Sequence, residues 1–246
     1  MSKNELLVIT SFPPRKCGIA TYSQDLINAI EDKYNDELTI KLCVLRTQEA
    51  NIIYPNTVSY FLDTWLKDDY TRLAIDLNTD ENIKLILLQH EFGLFGGVNG
   101  DYLLDFLEKV EVPVITTFHT ILPKPTQQRK ELVSKITVLS RNLIVMTSHS
   151  ANMLNEVYSI PKGKIKIIPH GTHLIKPRQV KSHQDKPYAD RIILSTFGLI
   201  SEGKSIETAL DALPRIIKEF PNVLYLVIGK THPEVVKKEG EQYREY

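Results

Sequence analysis

The run Leu6-Leu7-Val8-Ile9-Thr10-Ser11 begins the first strand–loop–helix unit of this 246-residue chain. Its apolar, β-branched character predicts a strand. A loop containing Gly18 follows, and the apolar spacing from Thr21 onward predicts a helix. A strand joined to a helix by a short loop is the building block of parallel α/β sheets.

A second unit of the same kind starts at Arg191. Ile192–Phe197 predicts a strand, Gly198–Lys204 a loop, and the pattern from Ser205 a helix. The residues before it suffice for a whole domain, but those from 191 to 246 are too few for a matching second one. Between the units lies a polar, proline-bounded stretch. We therefore predict a first domain over residues 1–180, a linker over 181–190 and an incomplete second domain over 191–246.

Five further runs extend the pattern in the first domain, and several are nearly continuous apolar segments, as in Leu85-Ile86-Leu87-Leu88. The predicted strands are Glu5–Ser11, Leu38–Leu45, Ile83–Gln89, Val112–Phe118, Asn142–Thr147 and Lys164–Ile168. Strands alternating with helices predict a doubly wound parallel sheet, whose ligands bind beyond the carboxyl ends of the strands.

The predicted helices carry apolar stripes at a 3.6-residue period. The stripes are Tyr22, Leu26, Ile30 and Tyr34; then Tyr102, Leu103, Phe106, Leu107 and Val110; then Leu132, Ile136 and Leu139; and in the second domain Ile206, Leu210, Leu213 and Ile217. Pro214 lies inside the last of these, so we expect a kink or a break there. A charged helical segment is predicted from Glu234 to Tyr246.

Composition excludes several classes of protein. Thirty basic and thirty acidic residues cancel, and no basic stripe offers an electrostatic footprint for nucleic acid. No apolar run approaches the ~18 residues that span a bilayer, although peripheral membrane contact stays open. No signal peptide is recognisable, so Cys17 and Cys43 are expected to be reduced thiols. We expect a cytoplasmic protein.

The first loop is one candidate for ligand binding. Gly18 would let the backbone approach a ligand closely, and the free N–H groups at a helix start favour an anion. The loop matches neither a dinucleotide-binding nor a Walker pattern. A plain connection, in which the glycine relieves steric strain, is the alternative.

His119 is a second candidate, because it lies where the fourth predicted strand ends. A histidine there can contact a polar substrate or move a proton, or it can simply cap a nearby carbonyl. Glu91, in the glycine-rich loop after the third strand, is a plausible acceptor for sugar hydroxyls. A metal site formed by His90 and Glu91 with His119 or His149 is disfavoured, because neighbouring strand residues point to opposite faces.

Two more candidate binding sites are loops that follow predicted strands. Ile168-Pro169-His170-Gly171 ends the last strand of the first domain, and its glycine again permits close backbone approach. In the second domain, Gly198–Lys204 places a cation beside a helix start, which suits a diphosphate. A solvated surface lysine is the alternative reading of Lys204.

In this order, the first loop, Phe118-His119, Ile168-Pro169-His170-Gly171 and Gly198…Lys204 resemble glycosyltransferase family 4, the group 1 family of retaining transferases. The resemblance covers the whole chain and implies the GT-B fold, with two Rossmann-like domains facing across a cleft. It implies an acceptor site in the first domain and a nucleotide-sugar site in the second, with no metal and no other cofactor.

Carried onto this chain, the resemblance assigns a role to each candidate. His119 would contact the transferring sugar as the catalytic residue. The donor diphosphate would lie against Gly18, Gly198 and Lys204. The resemblance places Arg15, Lys16, His170 and Gly171 at the acceptor or sugar, and Glu91 is expected there from its own position after the third strand.

The chain departs from the family in two places. Leu199 stands where members frequently carry a basic residue, so a second cation for the diphosphate is absent or comes from elsewhere. The family's Glu-x7-Glu segment lies further along than residue 246. Independently of the resemblance, no two aspartates lie two positions apart. The metal-binding Asp-x-Asp pair of the other common transferase architecture is therefore absent from this sequence.

Three functional hypotheses remain open. The first is a hexosyltransferase, with mannosyl and glucosyl groups as the alternatives, acting on a glycan, lipid-linked or small-molecule acceptor. The second is a non-catalytic glycan-binding or partner subunit, and the third is a GT-B relative acting as an epimerase or phosphorylase. We expect little or no turnover from residues 1–246 alone.

Overall fold

The computed structural model describes residues 3–48, 52–172, 188–231, 235–236 and 239–245. The chain divides into two compact units, Met1–His173 and Leu174–Tyr246. Residues 181–187 of the predicted linker lie outside the described residues, so the predicted domain boundaries stay predictions.

The first unit is built on a parallel sheet, which has seven strands in the part of the chain that is described. Their order across the sheet is β3-β2-β1-β4-β5-β6-β7, so β1 is an interior strand and its Leu7 is paired with both Lys41 and Ile86. The strands are β1 Asn4–Thr10, β2 Leu38–Arg46, β3 Val58–Asp63, β4 Ile83–His90, β5 Val114–Phe118, β6 Asn142–Val145 and β7 Ile165–Ile167.

Helices connect these strands, and several begin with a side-chain cap. Cys17 Sγ accepts from Ala20 N at the start of the first helix, and Thr126 and Thr147 cap the fourth and fifth through their hydroxyls. The helices of the first unit are α1 Gly18–Tyr34, α2 Lys67–Asn78, α3 Leu103–Leu107, α4 Gln127–Leu139 and α5 Ser148–Glu156.

The core lies on both faces of the sheet, because successive strand side chains point to opposite sides. Leu7 of β1 joins the cluster that contains Tyr70 of α2, whereas Val8 joins the cluster that contains Ile27 of α1. Helices thus pack on both faces, and the strand order reverses beside β1. This confirms the predicted doubly wound parallel α/β class, and it places a topological switch point at the carboxyl end of β1.

Three elements were missing from the prediction, β3, α2 and α5, and α5 buries Leu154 alone. β3 is an edge strand in which only Leu62 is buried, so its sequence lacks a strong apolar signal. α2 is rich in charge, but Tyr70, Leu73, Ala74 and Leu77 do follow a helical spacing and are buried. The signal for α2 was therefore present in the sequence.

The second unit contains a parallel pair of strands among its described residues, β8 Ile192–Phe197 and β9 Val223–Ile228. Between them runs α6, Ile206–Glu219. Of the predicted kink or break at Pro214, the break is wrong, because the helix continues through this residue. Proline removes a single N–H donor, and the following turn still closes with Phe220 N donating to Ile216 O. Of the predicted helix 234–246, part is described, including α7 Gln242–Glu245.

In the described ranges, none of the helices combines the length and apolarity that crossing a membrane requires.

Candidate functional site

His119 directly follows β5 and is held by two hydrogen bonds. Its backbone N–H donates to His90 O at 3.0 Å, and its ring Nε2 lies 2.8 Å from Gln89 Oε1. Gln89 is fully buried near the end of β4, the strand beside β5. The imidazole is therefore fixed at the carboxyl edge of the sheet by the neighbouring strand.

Three rings meet beside this histidine, and we call Tyr22, His119 and His170 the ring cluster. The ring centroids of Tyr22 and His119 are 5.0 Å apart, and those of Tyr22 and His170 are 4.9 Å apart, both edge to face. The two imidazole centroids are 6.4 Å apart. Tyr22 lies in the second turn of α1, and His170 follows β7. The fold thus gathers residues from three distant segments at one edge.

The surroundings of His119 and Tyr22 favour the uncharged forms of these two rings. Burial, and next the neighbouring His170, lower the pKa of His119 to about 4, while burial raises the pKa of Tyr22. At neutral pH the cluster therefore presents a neutral imidazole and a phenol. With Nε2–H donating to Gln89 Oε1, the Nδ1 of His119 is left as a hydrogen-bond acceptor.

Gln89 itself leaves one donor unused. Its Nε2 is buried and has no hydrogen-bond partner among the described residues. Buried amide groups are normally hydrogen-bonded, so a donor without a partner beside His119 suits a ligand oxygen.

Glu91 begins the loop that follows β4, and its carboxylate is half-buried. Oε1 accepts from Phe92 N at 3.0 Å, and Oε2 accepts from the Thr120 hydroxyl. Both oxygens therefore help to hold the two loops beside His119. Each keeps a further lone pair, so the predicted contact with sugar hydroxyls stays a prediction.

His90 lies on the other face of the sheet from Gln89, as strand alternation requires. Its ring is fully buried against Phe92, Phe95 and Phe118, and neither ring nitrogen has a hydrogen-bond partner in the described chain. Burial and the nearby His119 lower the pKa of His90 to about 3. His90 is thus part of an aromatic core and does not join the ring cluster. The described ranges contain no group of three or more His, Cys, Asp or Glu residues placed to hold a metal ion.

The glycines of the two first-unit loops have free space around them. A Cβ built on Gly18 or Gly171 would meet no atom within 4 Å, and neither residue has a left-handed φ. The described structure therefore shows no steric strain that a glycine at position 18 would relieve. Gly18 is exposed as the first residue of α1, and Gly171 is exposed next to His170. Arg15 is half-buried in the first loop, whereas Lys16 is exposed.

The loop after β8 has a different geometry. Gly198 has a φ of +122°, and a Cβ built there would lie 3.4 Å from Lys204 Nζ, so the exposed lysine folds over the glycine. Lys204 ends a single 3-10 turn, Glu202–Lys204, and Ser205 then begins α6 in a left-handed conformation without a side-chain cap. The Lys204 ammonium and the uncapped start of α6 therefore lie side by side.

Tyr22, Gln89 and Gly229 lie at these sites, but the sequence patterns did not identify them as site residues. Tyr22 was placed in an apolar stripe of α1, but the buried positions of that helix are Ala20, Ser23 and Ile27. Gln89 was treated only as a strand end. Gly229, which follows β9, has a φ of +154°, and a Cβ there would lie 1.8 Å from Gly198 O. Only the polar character of Gln89 in an apolar strand could have signalled its role.

Comparisons with known proteins support the fold. No family model matches the sequence, and no curated protein matches it. A glycosyltransferase from Rickettsia africae ESF-5 matches in structure with a TM-score of 0.55 and 12% identity, over 98% of this chain and 71% of its own. A ugt transferase from Siraitia grosvenorii, solved in complex with UDP, gives a TM-score of 0.47 and 10% identity, over 94% of this chain and 64% of its own. At these identities the first likeness establishes the α/β fold, and the second is too low to add to it.

Proposed function

We propose that this chain is part of a glycosyltransferase that moves a hexosyl group from a nucleotide-sugar to a hydroxyl acceptor, with retention and without a metal. The observation that carries the proposal is the ring cluster at the carboxyl edge of the first sheet. The fold, shared with a glycosyltransferase, adds support. Small-molecule sites typically combine aromatic side chains with a few directed polar groups, and the ring cluster with Gln89 offers both.

His119 is proposed to contact the transferring sugar. With a pKa of about 4, its imidazole is neutral at physiological pH. It therefore acts by accepting a hydrogen bond at Nδ1, and it does not serve as a proton donor from a charged ring. Tyr22 and the Nε2 of Gln89 supply donors beside it. We assign no nucleophile.

The second unit is proposed to hold the donor diphosphate. The Lys204 ammonium lies beside the start of α6, whose first N–H groups have no side-chain cap. Such a pairing stabilises negative charge on a leaving diphosphate. The proposed role of Gly198 is to leave room for a phosphate oxygen, and the role predicted for Gly18 stays a prediction.

A transfer assay on the full-length gene product tests the function. UDP-glucose and GDP-mannose are offered with glycan, lipid-linked and small-molecule acceptors, with and without EDTA, and the anomeric configuration of the product is read by NMR. We expect His119→Ala to lower kcat by about 100-fold, since it removes a contact at the reacting sugar. His149→Ala, an exposed histidine of α5, is the matched control. Turnover equal to wild type in His119→Ala would refute the assignment.

Donor binding is tested separately with UDP and GDP. Lys204→Ala is expected to weaken one of them by about tenfold, the size of one charge-assisted hydrogen bond. Lys218→Ala, at the far end of α6, is the control and should bind normally. Undiminished affinity in Lys204→Ala would remove this lysine from the site.

A further inference from the structure

Arg15 lies in the loop between β1 and α1, and its backbone is held on both sides. Its N–H donates to Phe12 O at 3.2 Å, and its carbonyl accepts from Cys17 N at 3.1 Å. The side chain is half-buried. Arg15 is therefore placed by the loop, and its guanidinium starts from a fixed backbone.

One guanidinium nitrogen of Arg15 lacks a partner. Nη1 is buried, and no hydrogen bond reaches it from the described residues. An arginine is always charged, and a buried donor of a charged group is costly when it is left without an acceptor. The position therefore calls for an acceptor that the described chain does not supply.

Tyr54 and Arg46 show which other groups share the surroundings of Arg15. Its positive charge acts on Tyr54, opposing the burial that raises the pKa of that phenol. Arg46 also acts on Tyr54, but its own guanidinium is satisfied by two hydrogen bonds to Asp63, at 2.6 and 2.7 Å. Asp63 is thus already engaged, and among the described residues no salt bridge joins Arg15 to a carboxylate.

We propose that Arg15 binds an anionic group, a phosphate or a carboxylate, on the acceptor. The inference rests on the proposed function and names the class of acceptor: a molecule with both a hydroxyl and an acidic group. The β1–α1 loop leads directly into the helix that carries Tyr22 of the ring cluster. An acceptor whose acid lies on Arg15 could therefore present its hydroxyl to the ring cluster along the same edge. A guanidinium can donate two parallel hydrogen bonds to a pair of oxygens on either acid.

Binding experiments on the 246-residue chain test the inference without any transfer step. The chain is titrated with glucose 6-phosphate, glucuronate and glucose, and the amide signals of residues 11–18 are followed by NMR. We expect at least one of the two acids to bind about tenfold or more tightly than glucose, and the acid that does so identifies the anionic group. Arg15→Gln should abolish this preference and Arg15→Lys should keep part of it, since a lysine retains the charge but not the fork. Arg141→Gln, an exposed arginine at the opposite end of the sheet, should keep all of it.

Other outcomes would overturn the proposal. Equal affinity for the three sugars, or a preference that survives in Arg15→Gln, would do so. A loss of UDP affinity in Arg15→Gln with the acid preference intact would assign Arg15 to the donor instead.

The inference and the proposed function can fail separately. Acid binding at Arg15 with no hexosyl transfer from any donor would retain the anion site and refute the transferase. Transfer to neutral acceptors that Arg15→Gln leaves unchanged would retain the transferase and refute the acidic acceptor.

Discussion

The ring cluster shows how much of a site can depend on one buried amide. Gln89 is fully buried, contacts His119 through Oε1 and keeps its Nε2 without a described partner. Because the imidazole donates to Gln89, its proton is held on Nε2 and its Nδ1 stays an acceptor. Gln89 is thus a positioning residue for His119 and also a possible donor to a ligand.

A change at Gln89 should alter the titration of His119. Gln89→Glu places a carboxylate beside Nε2, which stabilises the charged imidazole, so the pKa of His119 should rise from about 4 by roughly one unit or more. Gln89→Met removes the hydrogen bond without adding charge and should leave the pKa low. NMR titration of the ring protons measures both. An unchanged pKa in Gln89→Glu would contradict the hydrogen bond.

At the scale of elements, Gly229 and Gly18 differ in whether the surrounding structure leaves room for a side chain. Gly229 follows β9 with a φ of +154°, and an added Cβ would lie 1.8 Å from Gly198 O. Gly18 begins α1 with free space around it. The first glycine is thus required by packing between two loops, and the second is not required by the described fold.

Alanine should therefore act differently at the two positions. Gly229→Ala is expected to destabilise the second unit by about 1–3 kcal/mol and to displace the Gly198–Lys204 loop. Gly18→Ala should change stability by less than about 0.5 kcal/mol, because a helix start tolerates alanine. Hydrogen exchange of β8 and β9 amides reads the first effect, and thermal unfolding reads the second. Similar losses in both variants would be inconsistent with the two geometries.

Three elements are joined by an ion network at the amino end of the sheet. Lys41 Nζ of β2 lies 2.8 Å from Glu5 Oε2 of β1 and 2.8 Å from Asp80 Oδ2, just before β4. Tyr60 of β3 donates to the same Asp80 oxygen at 3.1 Å. The hydrogen bond from Lys41 is the main cause that lowers the pKa of Asp80.

Lys41→Met should reduce the free energy of unfolding by about 1 kcal/mol at pH 7. Because the pKa of Asp80 is lower in the folded state, its contribution is present above the unfolded pKa and is lost as the pH falls through the folded value. The difference between wild type and variant should therefore shrink below about pH 4. Urea unfolding at pH 7 and pH 3 measures it, with the exposed Lys84→Met as control. A difference that does not depend on pH would argue against Asp80 as the partner.

At the scale of the whole molecule, the two units differ in how much of their apolar surface is covered. The β1–β7 sheet has buried side chains on both faces, whereas β8 and β9 leave Ile193 41% and Ile228 54% exposed. A pair of strands is marginally stable by itself, and exposed apolar strands favour association.

We therefore expect the 246-residue chain to self-associate as its concentration rises. Ile193→Lys should shift it toward monomer in sedimentation velocity, because it places a charge on this strand. Val138→Lys is the control, since Val138 is 76% exposed on α4 of the first unit and should not affect association. Wild-type chain that stays monomeric at high concentration would refute the expectation.

The sequence by itself determined the parallel α/β class, because alternating apolar strands and striped helices have few ways to bury their apolar faces. It also located the loops that follow β1, β5 and β8, since ligand-binding loops in such sheets follow strands. It did not reveal β3, an edge strand with little buried surface, or the use of Tyr22.

Tertiary structure decided which residues meet. Tyr22, His119 and His170 are far apart in sequence, and the strand order with α1 on one face is what brings their ring centroids to 4.9–6.4 Å from each other. The partner of His119, the orphan nitrogen of Arg15 and the close approach of Gly229 to Gly198 likewise depend on contacts between separate segments. Local patterns encode what each segment becomes, but only packing across the sheet sets what each side chain touches.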